Sequence, residues 1–303
     1  MTSEKRDVYQ EVTDRIVAAI EGGSPPWRRP WREGEGRSGD GRPSWWPRNA
    51  VTGRPYSGMN VWLLTMMGGS DPRFATYNQA KKAGGQVRKG EKGIPVILWR
   101  FVPDKTDPKK TIPVIRSFTV FNVSQIDPID PSTPPRWKKA ETIQENGADW
   151  KKVRVSEAIK AVGVRVEYGG SQAFFSPAHD RVVVPTIDSF DTEDDAAATL
   201  LHELVHATGH SSRLNRDLAN RFGDAAYAME ELVAEIGAAY LCADTGVAGS
   251  VTNHASYVNS WLKVLKNDKR AIFTASKAAA TAADWIAERA GWRSAEEDGE
   301  EEE

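Results

Sequence analysis

The stretch LLHELVHATGH, residues 200–210, places two histidines and a glutamate inside a run that otherwise has the pattern of a buried helix. His202 and His206 are four residues apart, so on a helix both imidazoles project from one face, one turn apart. That spacing lets two ring nitrogens reach a single metal ion. Glu203 lies one step round the helix, where its carboxylate can act as the base for an attacking water. The pattern HExxH therefore predicts a catalytic metal site with its own base.

A catalytic zinc site needs a third protein ligand, and a second helical stretch offers candidates. YAMEELVAEIGAAYL carries Glu230, Glu231 and Glu235 among alanine and aliphatic residues. In the pattern typical of glutamate zincins, we predict that Glu231 binds the metal and that Glu235, one turn later, orients a ligand histidine. Glu230 is interpreted as a solvated neighbour, although a helix rotation of one residue would exchange it with Glu231. The simpler alternative is that all three are ordinary surface glutamates.

Five further side chains could take part in chemistry. His210 follows the glycine that ends the helix, so a structural role is favoured over metal ligation. His179 is expected to be exposed in a strand or turn. His254 and Tyr257 on a late helix could polarise a substrate carbonyl, but a capping histidine and a packed tyrosine are the simpler interpretation. Cys242, the only cysteine, is expected to be a small core residue.

Tryptophan, arginine and proline alternate near the N-terminus, in PPWRRPW and RPSWWPRN. Interleaved indoles and guanidinium groups suit single-stranded nucleic acid, because rings stack on bases and cations meet phosphates. The glycine-flexed loop QVRKGEKG adds cations that phosphates can approach closely. The alternative is that Trp45, Trp46 and Trp62 form a small core. On the first interpretation, the DNA-binding residues are Trp27, Arg28, Arg29, Trp31, Trp46, Arg48, Arg54, Arg88, Lys89 and Lys92.

The distribution of charge supports an anionic partner. The net charge is -2, yet residues 27–92 contain 13 Lys/Arg against 5 Asp/Glu. A basic region of this kind favours nucleic acid. The sequence has neither a helix-turn-helix nor a zinc-finger pattern, so sequence-specific recognition of duplex DNA is not expected. The last eight residues, EEDGEEEE, carry seven acids and are predicted to form a disordered, solubilising tail.

These groups need a framework of helices and strands. In the first part of the chain the patterns predict helices over 5–21, 58–67 and 76–85 and paired strands in GIPVILWRF and RSFTVFNV. In the second part they predict a helix in ADWKKVRVSEAIKAVG, strands in RVEYGG and QAFFSPAHDRVVVP, and mostly helix from about residue 191. Asp191 or Thr192 should cap the HExxH helix, and Gly209 should end it in a left-handed conformation.

The proline-rich stretch DPIDPSTPPRW is typical of a linker. The predicted fold class is α+β with two domains, a basic α+β nucleic-acid-binding domain and a zincin-like metallopeptidase domain of the HExxH, gluzincin type. The predicted boundaries are 1–126 for the DNA-binding domain, 127–137 for the linker, 138–292 for the metallopeptidase domain and 293–303 for the acidic tail.

Composition favours a soluble globular protein, since 40% of the 303 residues are hydrophobic and 27% are charged. The chain has no apolar run of about 18 residues that could span a membrane. Its N-terminal stretch lacks the apolar core of a signal peptide. A single cysteine excludes an intramolecular disulfide, so we expect a cytoplasmic protein in a reducing environment.

Several long motifs carry a resemblance to a known family. HELVHATGHSSRLNR, YAMEELVAEIGAAYLCAD and YVNSWLKVLKNDKRAIFTASKA resemble the C-terminal half of ArdC-type antirestriction proteins. RNAVTGRPYSGMNVWLL, TYNQAKKAGGQVRKGEKG and FNVSQ are similar to their N-terminal domain. The resemblance implies a single-stranded-DNA-binding domain joined to a zincin-like metallopeptidase domain. It also implies a protein of mobile elements or phages that protects incoming DNA from host restriction.

Two classes of function remain open. The first is a peptidase that uses Zn²⁺, with Mn²⁺ or another divalent ion as the alternative, and acts on an unidentified protein such as a host restriction component. Its substrate could lie along the strand QAFFSPAHDRVVVP as an added strand. The second is a non-catalytic single-stranded-DNA-binding protein whose metal is a structural clamp. A nuclease is disfavoured, because two histidines and a glutamate suit zinc better than a pair of magnesium ions.

Overall fold

The computed structural model describes the chain over the ranges 7–27, 36–69, 71–103, 110–138, 149–218, 224–249 and 254–293. Two compact units make up the chain. The N-unit contains residues 1–18 and 45–140, and the C-unit contains residues 19–44 and 141–303. Among the described residues, none of the helices combines the length and the apolar character that a bilayer crossing requires. The prediction of an α+β protein built from two units is confirmed.

The segment 19–44 clusters with the C-unit, whereas the sequence predicted it in the N-terminal domain. Arg37 explains part of this placement. Its guanidinium donates to the backbone carbonyl of Asp244 and lies over the ring of Trp150, 5.4 Å from the ring centroid. A buried guanidinium needs such partners, because an unpaired buried charge is costly. The prediction that residues 19–44 belong to the N-terminal domain is therefore wrong, because it relied only on their position in the sequence.

The N-unit is built from short helices and strands. Its described helices are α2 (Met59–Met67), α3 (Tyr77–Lys82) and α1 (Val8–Glu21), which begins in this unit. Its described strands are β1 (Arg48–Asn49), β2 (Arg73–Thr76), β3 (Gly85–Val87), β4 (Ile94–Pro103), β5 (Thr111–Asn122) and β6 (Ile126–Pro128). Over the described residues they form a four-stranded sheet in the order β1-β2-β5-β4 and a two-stranded sheet of β3 and β6.

The two strands predicted to pair do so as β4 and β5. They run antiparallel in a register from Ile94 opposite Val120 to Pro103 opposite Thr111. Their β-branched and aromatic residues favour the extended conformation. The inward-facing residues join a core cluster of the N-unit formed by Leu64, Phe74, Ile94, Val96 and Val120.

The proline-rich stretch predicted as a free linker, 127–137, is packed on the N-unit. Strand β6 within it pairs antiparallel with β3. Further along, the backbone N–H groups of Ile129 and Arg136 donate to the carbonyls of Gly84 and Ala83. Prolines remove some donors, but the remaining N–H groups still find partners, as partly buried backbone must. The interpretation of 127–137 as a linker is thus corrected, and residues 139–148 lie outside the described part of the chain.

The C-unit is mainly helical around a small sheet. Its described helices are α4 (Trp150–Val162), α5 (Glu193–Thr208), α6 (Ala225–Thr245), α7 (His254–Asn267) and α8 (Ala271–Arg289). Its described strands are β7 (Arg165–Tyr168), β8 (Phe174–Ser176) and β9 (Arg181–Val184). They form a sheet in the order β7-β9-β8, with β7 parallel and β8 antiparallel to β9.

The stretch predicted as one strand, QAFFSPAHDRVVVP, is a hairpin. A short 3-10 turn, Pro177–His179, separates β8 from β9, and Asp180 follows in the left-handed region with φ 43°. Aspartate tolerates the left-handed region better than most residue types do. Arg213 fixes the turn by donating to both carboxylate oxygens of Asp180 at 2.8 and 3.0 Å. The split leaves β8 at the edge of the sheet.

Helix α5 begins as predicted and ends differently. The side chain of Thr192 caps it by accepting the backbone N–H of Asp195 at 3.1 Å. Gly209 at its C-terminal end has φ -74°, so the predicted left-handed stop is wrong. A Cβ at Gly209 would lie 2.9 Å from a methyl of Leu218 and 3.0 Å from Nη2 of Arg216. Glycine stands here because other side chains approach the backbone closely.

Helices α5 and α6 approach each other closely at one glycine. A Cβ at Gly237 of α6 would lie 2.8 Å from a methyl of Val205 on α5, so a larger residue would push the helices apart. Val205 immediately precedes His206, and Gly237 follows Glu235 by two residues. The close approach therefore sets the distance between the histidines of α5 and the glutamates of α6.

Candidate metal centre and nucleic-acid interface

Helix α5 presents His202 and His206 together, as their spacing requires. The two Nε2 atoms are 3.2 Å apart, and the ring centroids are 4.8 Å apart. Both residues are buried. Two buried imidazole nitrogens this close together can bind the same metal ion.

Glu231 on α6 completes the cluster. Its Oε2 lies 3.6 Å from Nε2 of His202, and its Oε1 lies 3.5 Å from Nε2 of His206. One ligand atom from each of the three residues can be chosen so that all lie within 4.8 Å of one another. Two neutral imidazoles and one carboxylate are a donor set that zinc and related divalent ions accept.

Electrostatics in this cluster favours a cation. Burial opposes ionisation of Glu231, but hydrogen bonding to His202 and the charges of both histidines outweigh it and lower the pKa of Glu231. Burial likewise opposes protonation of His206, yet its hydrogen bond to Glu230 and the charges of Glu231 and Glu203 raise its pKa to about 9. A site that attracts a proton this strongly also attracts a metal ion, so the residues fit a divalent cation.

Each histidine has its own carboxylate on the far side of the ring. Oε2 of Glu235 lies 3.8 Å from Nδ1 of His202, and Oε1 of Glu230 lies 3.1 Å from Nδ1 of His206. Glu235 is the carboxylate behind His202, but its distance exceeds that of a hydrogen bond, so its role in orienting this ring stays a prediction. The prediction that Glu230 is a solvated neighbour is wrong, because its side chain is only 11% exposed. Consecutive residues on α6 point in different directions, which lets Glu230 and Glu231 reach His206 from two sides.

Arg216 holds Glu230 in place and was missed by the sequence analysis. Its Nε and Nη2 donate to the two carboxylate oxygens of Glu230 at 3.0 and 2.8 Å. The same guanidinium donates to the carbonyl of Val205 and to Oγ1 of Thr208 near the end of α5. Burial raises the pKa of Glu230, but the bonds to His206 and Arg216 outweigh it and keep the carboxylate ionised. The sequence did contain a signal for Arg216, since a basic residue soon after the end of a helix can bond to the last carbonyls of that helix.

Glu203 is buried beside the cluster without joining the candidate ligand set. Its carboxylate accepts a hydrogen bond from the backbone N–H of Phe175 on the edge strand β8. Burial raises the pKa of Glu203, and the nearby histidines oppose that effect. A carboxylate whose pKa is raised by burial is a stronger base than an exposed one.

Two tyrosines border the cluster. The hydroxyl of Tyr227 is hydrogen-bonded to Glu231 and lies 3.4 Å from the hydroxyl of Tyr257. The ring of Tyr257 stacks on Trp261 at 6.3 Å. Burial raises the pKa of both phenols, so they remain neutral donors. Tyr227 precedes Glu231 by one helical turn, a signal that the sequence analysis overlooked. The side chain of His254 lies outside the described residues.

The remaining candidates are structural. Nδ1 of His210 lies 2.7 Å from Oγ of Ser212, and its ring meets Phe175 edge to face at 6.3 Å. His179 is exposed in the turn between β8 and β9. Cys242 is buried, and burial raises the pKa of its thiol, which makes it a poor nucleophile.

The tryptophans expected to stack on bases are buried where the structure describes them. Trp27 is 1% exposed and Trp46 is 3% exposed, and Nε1 of Trp46 donates to the carbonyl of Tyr56 at 2.8 Å. Trp62 is also fully buried. An indole buries more apolar area than most side chains, so packing competes strongly with exposure. The interpretation of Trp27 and Trp46 as stacking surfaces is therefore corrected, and Trp31 lies outside the described residues.

The predicted cationic contacts fall into three groups. Arg48 is buried, and Arg88 is exposed but paired with Glu91 at 2.8 Å and Asp127 at 3.0 Å. Arg28 and Arg29 lie outside the described residues. The cations that remain on the surface are Arg54, Lys89 and Lys92. Within the described part of the chain, the surface that could bind DNA is thus smaller than the sequence suggested, and Trp27 and Trp46 are not part of it.

Two family models match the chain, one in each part. Residues 6–121 match the N-terminal domain of anti-restriction factor ArdC, and residues 153–278 match a zincin-like metallopeptidase family, MPTase-PolyVal. Crystal structures of the antirestriction protein ArdC from plasmid R388 are similar throughout. The metal-free one has a TM-score of 0.72 at 36% identity and the Mn(II)-bound one 0.73 at 37%. Each similarity covers 94% of this chain and 98% of that protein.

The curated relatives differ greatly in length. Uncharacterized protein y4eC of Sinorhizobium fredii (strain NBRC 101917 / NGR234) is 36% identical over 92% of this chain and 91% of its own. Two Escherichia coli proteins called DNA primase TraC are 37% and 36% identical over 94% and 93% of this chain. The chain spans only 27% and 20% of those two proteins, so it corresponds to one segment of each.

Proposed function

The chain belongs to the ArdC-type family of antirestriction proteins, and from that premise we propose that it protects incoming DNA from restriction. In this proposal the N-unit binds single-stranded DNA and the C-unit is a metal-dependent peptidase. The observation that carries the peptidase assignment is the convergence of His202, His206 and Glu231, with the buried carboxyl of Glu203 beside them.

His202, His206 and Glu231 are the residues that would hold the metal. Zn²⁺ is our first choice, and Mn²⁺ is the alternative because the similar ArdC structure contains it. When bound, such an ion supplies a Lewis acid that polarises a carbonyl and makes water more acidic. Glu230 holds the ring of His206 from behind at Nδ1, and this kind of support raises metal affinity. Glu235 lies 3.8 Å behind Nδ1 of His202.

Glu203 is proposed as the general base and acid. It takes a proton from the attacking water and later gives it to the leaving amine. Its buried position supports this role, because burial raises its pKa and so makes its carboxylate a stronger base. Tyr227 keeps Glu231 oriented through its hydroxyl.

The edge strand β8 is proposed to align the peptide. It pairs with β9 on one side only within the described sheet, and the carboxylate of Glu203 bonds to its Phe175 N–H. A peptide added along this edge by main-chain hydrogen bonds would therefore lie next to the base. The protein that supplies this peptide would be a component of the host restriction system.

Replacing Glu203 by glutamine separates an enzyme from a binding protein. The change keeps size and hydrogen bonding but removes the base, so metal content and melting temperature should stay near wild type. Cleavage of casein should fall by about 100-fold or more. The same proteins would be compared for protection of incoming DNA in restricting cells. Unchanged protection by Glu203→Gln would favour the alternative, a single-stranded-DNA-binding protein with a structural metal. Loss of metal would show that the ligand assignment is mistaken.

A further inference from the structure

Tyr77 is an exposed aromatic side chain that the N-unit holds in a fixed position. It opens helix α3 and is 47% exposed. Its hydroxyl oxygen accepts a hydrogen bond from Nε2 of Gln86 on β3 at 3.0 Å. An aromatic ring that is anchored at its tip and exposed on its face is suited to stack against a flat partner.

Exposed lysines lie on the helix that Tyr77 opens and in the turn after the strand that anchors its hydroxyl. Lys81 and Lys82 lie in the last turn of α3. Lys81 follows Tyr77 by four residues, so Tyr77 and Lys81 project from the same side of the helix. Lys89 and Lys92 lie in the turn after β3. Lys89 follows Gln86 by three residue steps, about 10 Å of extended chain. The ring and the cations are thus within reach of one short oligomer.

Positive charge exceeds negative charge on this surface. Glu91 and Asp127 are both ion-paired with Arg88, so these three residues together carry one negative charge against four lysines. Among the described residues, no carboxylate forms an ion pair with the four lysines. Arg136 adds a further exposed cation where α3 ends, because its backbone N–H donates to the carbonyl of Ala83.

Excess positive charge around an exposed ring matches an anionic polymer that carries flat, unpaired groups. Single-stranded DNA has both properties, whereas a duplex hides its base faces within the stack. We propose that single-stranded DNA binds across Tyr77, Lys81, Lys82, Lys89 and Lys92, with one base stacked on Tyr77. This inference rests on the proposed function of the N-unit and replaces the buried tryptophans with a specific surface.

Binding of a labelled oligothymidylate to the full chain, measured by fluorescence anisotropy, tests the inference. Tyr77→Ala should weaken binding by about 5- to 100-fold, the usual range for one base–aromatic stack, while Tyr77→Phe should keep most of the affinity. Lys81→Glu with Lys82→Glu, or Lys89→Glu with Lys92→Glu, should weaken binding. The salt dependence should also become shallower, by about 0.7 in the slope for each lysine that no longer neutralises a phosphate.

Matched controls lie on the C-unit. Tyr168 is a tyrosine of similar exposure, and Lys160 and Lys263 are exposed lysines. Tyr168→Ala, and Lys160→Glu with Lys263→Glu, should bind the oligonucleotide like wild type. Equal losses of affinity in these controls would overturn the surface, and unchanged binding by Tyr77→Ala would overturn the stack. Duplex DNA bound as tightly as single strands would also overturn it. If the wild-type chain binds no single strands, the proposed function itself fails and this inference fails with it.

Discussion

The metal centre and the tryptophan-rich stretches are both conspicuous in the sequence, and the fold treats them differently. In the metal centre, polar side chains such as His202, His206 and Glu231 are buried together because each is a partner for the others. In the tryptophan-rich stretches, Trp27 and Trp46 are buried as apolar groups, and the exposed aromatic on the basic surface is a tyrosine. The difference teaches that helical spacing fixes geometry, whereas composition does not fix which face a side chain presents.

The largest effect should come from Trp46→Ala, because this indole is buried. Removing a buried aromatic side chain should lower the free energy of unfolding by about 3–5 kcal/mol. Urea denaturation of the full chain measures this change. Trp46→Phe, which keeps most of the apolar volume, serves as the control and should lose much less stability. A stable Trp46→Ala protein that no longer binds oligonucleotide would instead support the prediction that Trp46 stacks on a DNA base.

Glu231→Ala should abolish stabilisation by metal. Zn²⁺ at a free concentration 100 times its Kd should stabilise the wild-type protein by about 2.7 kcal/mol, because it binds only the folded state. The variant lacks one of three ligands and should gain almost no stability. Thermal unfolding with and without Zn²⁺, beside metal analysis, measures the difference. Glu203→Gln is the control that should keep the stabilisation. Equal stabilisation of Glu231→Ala would remove this residue from the ligand set.

A smaller effect is expected from Arg216→Ala. Without the guanidinium, Glu230 is no longer held against His206, and loss of such outer support costs about 10- to 100-fold in metal affinity. Competition with a chromogenic chelator measures the affinity. Arg213→Ala removes an arginine from the same loop that pairs with Asp180 instead, so it should leave metal affinity nearly unchanged. If both variants lose affinity equally, the loop acts only through stability.

The sequence could place the two histidines and Glu203 together because that information is local. The i, i+4 spacing of His202 and His206 and the adjacent Glu203 depend only on helix geometry. Glu231 required the added assumption that α6 faces α5, which Gly237 and Val205 make possible through a close approach invisible in the sequence. Arg216 was missed for the same reason, since its partners are 8 to 14 residues away and are brought together by a loop.

The basic surface was harder to predict, because exposure is a property of the whole unit. Arg88 has the sequence context of a phosphate ligand, yet Asp127, 39 residues away, lies against it. The proline-rich stretch has the composition of a tether, yet its N–H groups find carbonyl partners in the turn after α3. Composition describes what a segment can do alone, and tertiary packing decides what it does.

The assignment of residues 19–44 to the C-unit has a consequence for how such proteins recombine. A chain whose units were divided once could exchange one whole half through a single crossover between genes. Here the C-unit is drawn from two separate stretches, with 45–140 of the N-unit inserted between them. A crossover near residue 140 would deliver the metal-site helices without Arg37 and its neighbours, leaving the backbone carbonyl of Asp244 without that donor. Exchange of an intact C-unit therefore takes three crossovers, at 18/19, 44/45 and 140/141, or transfer of both units together.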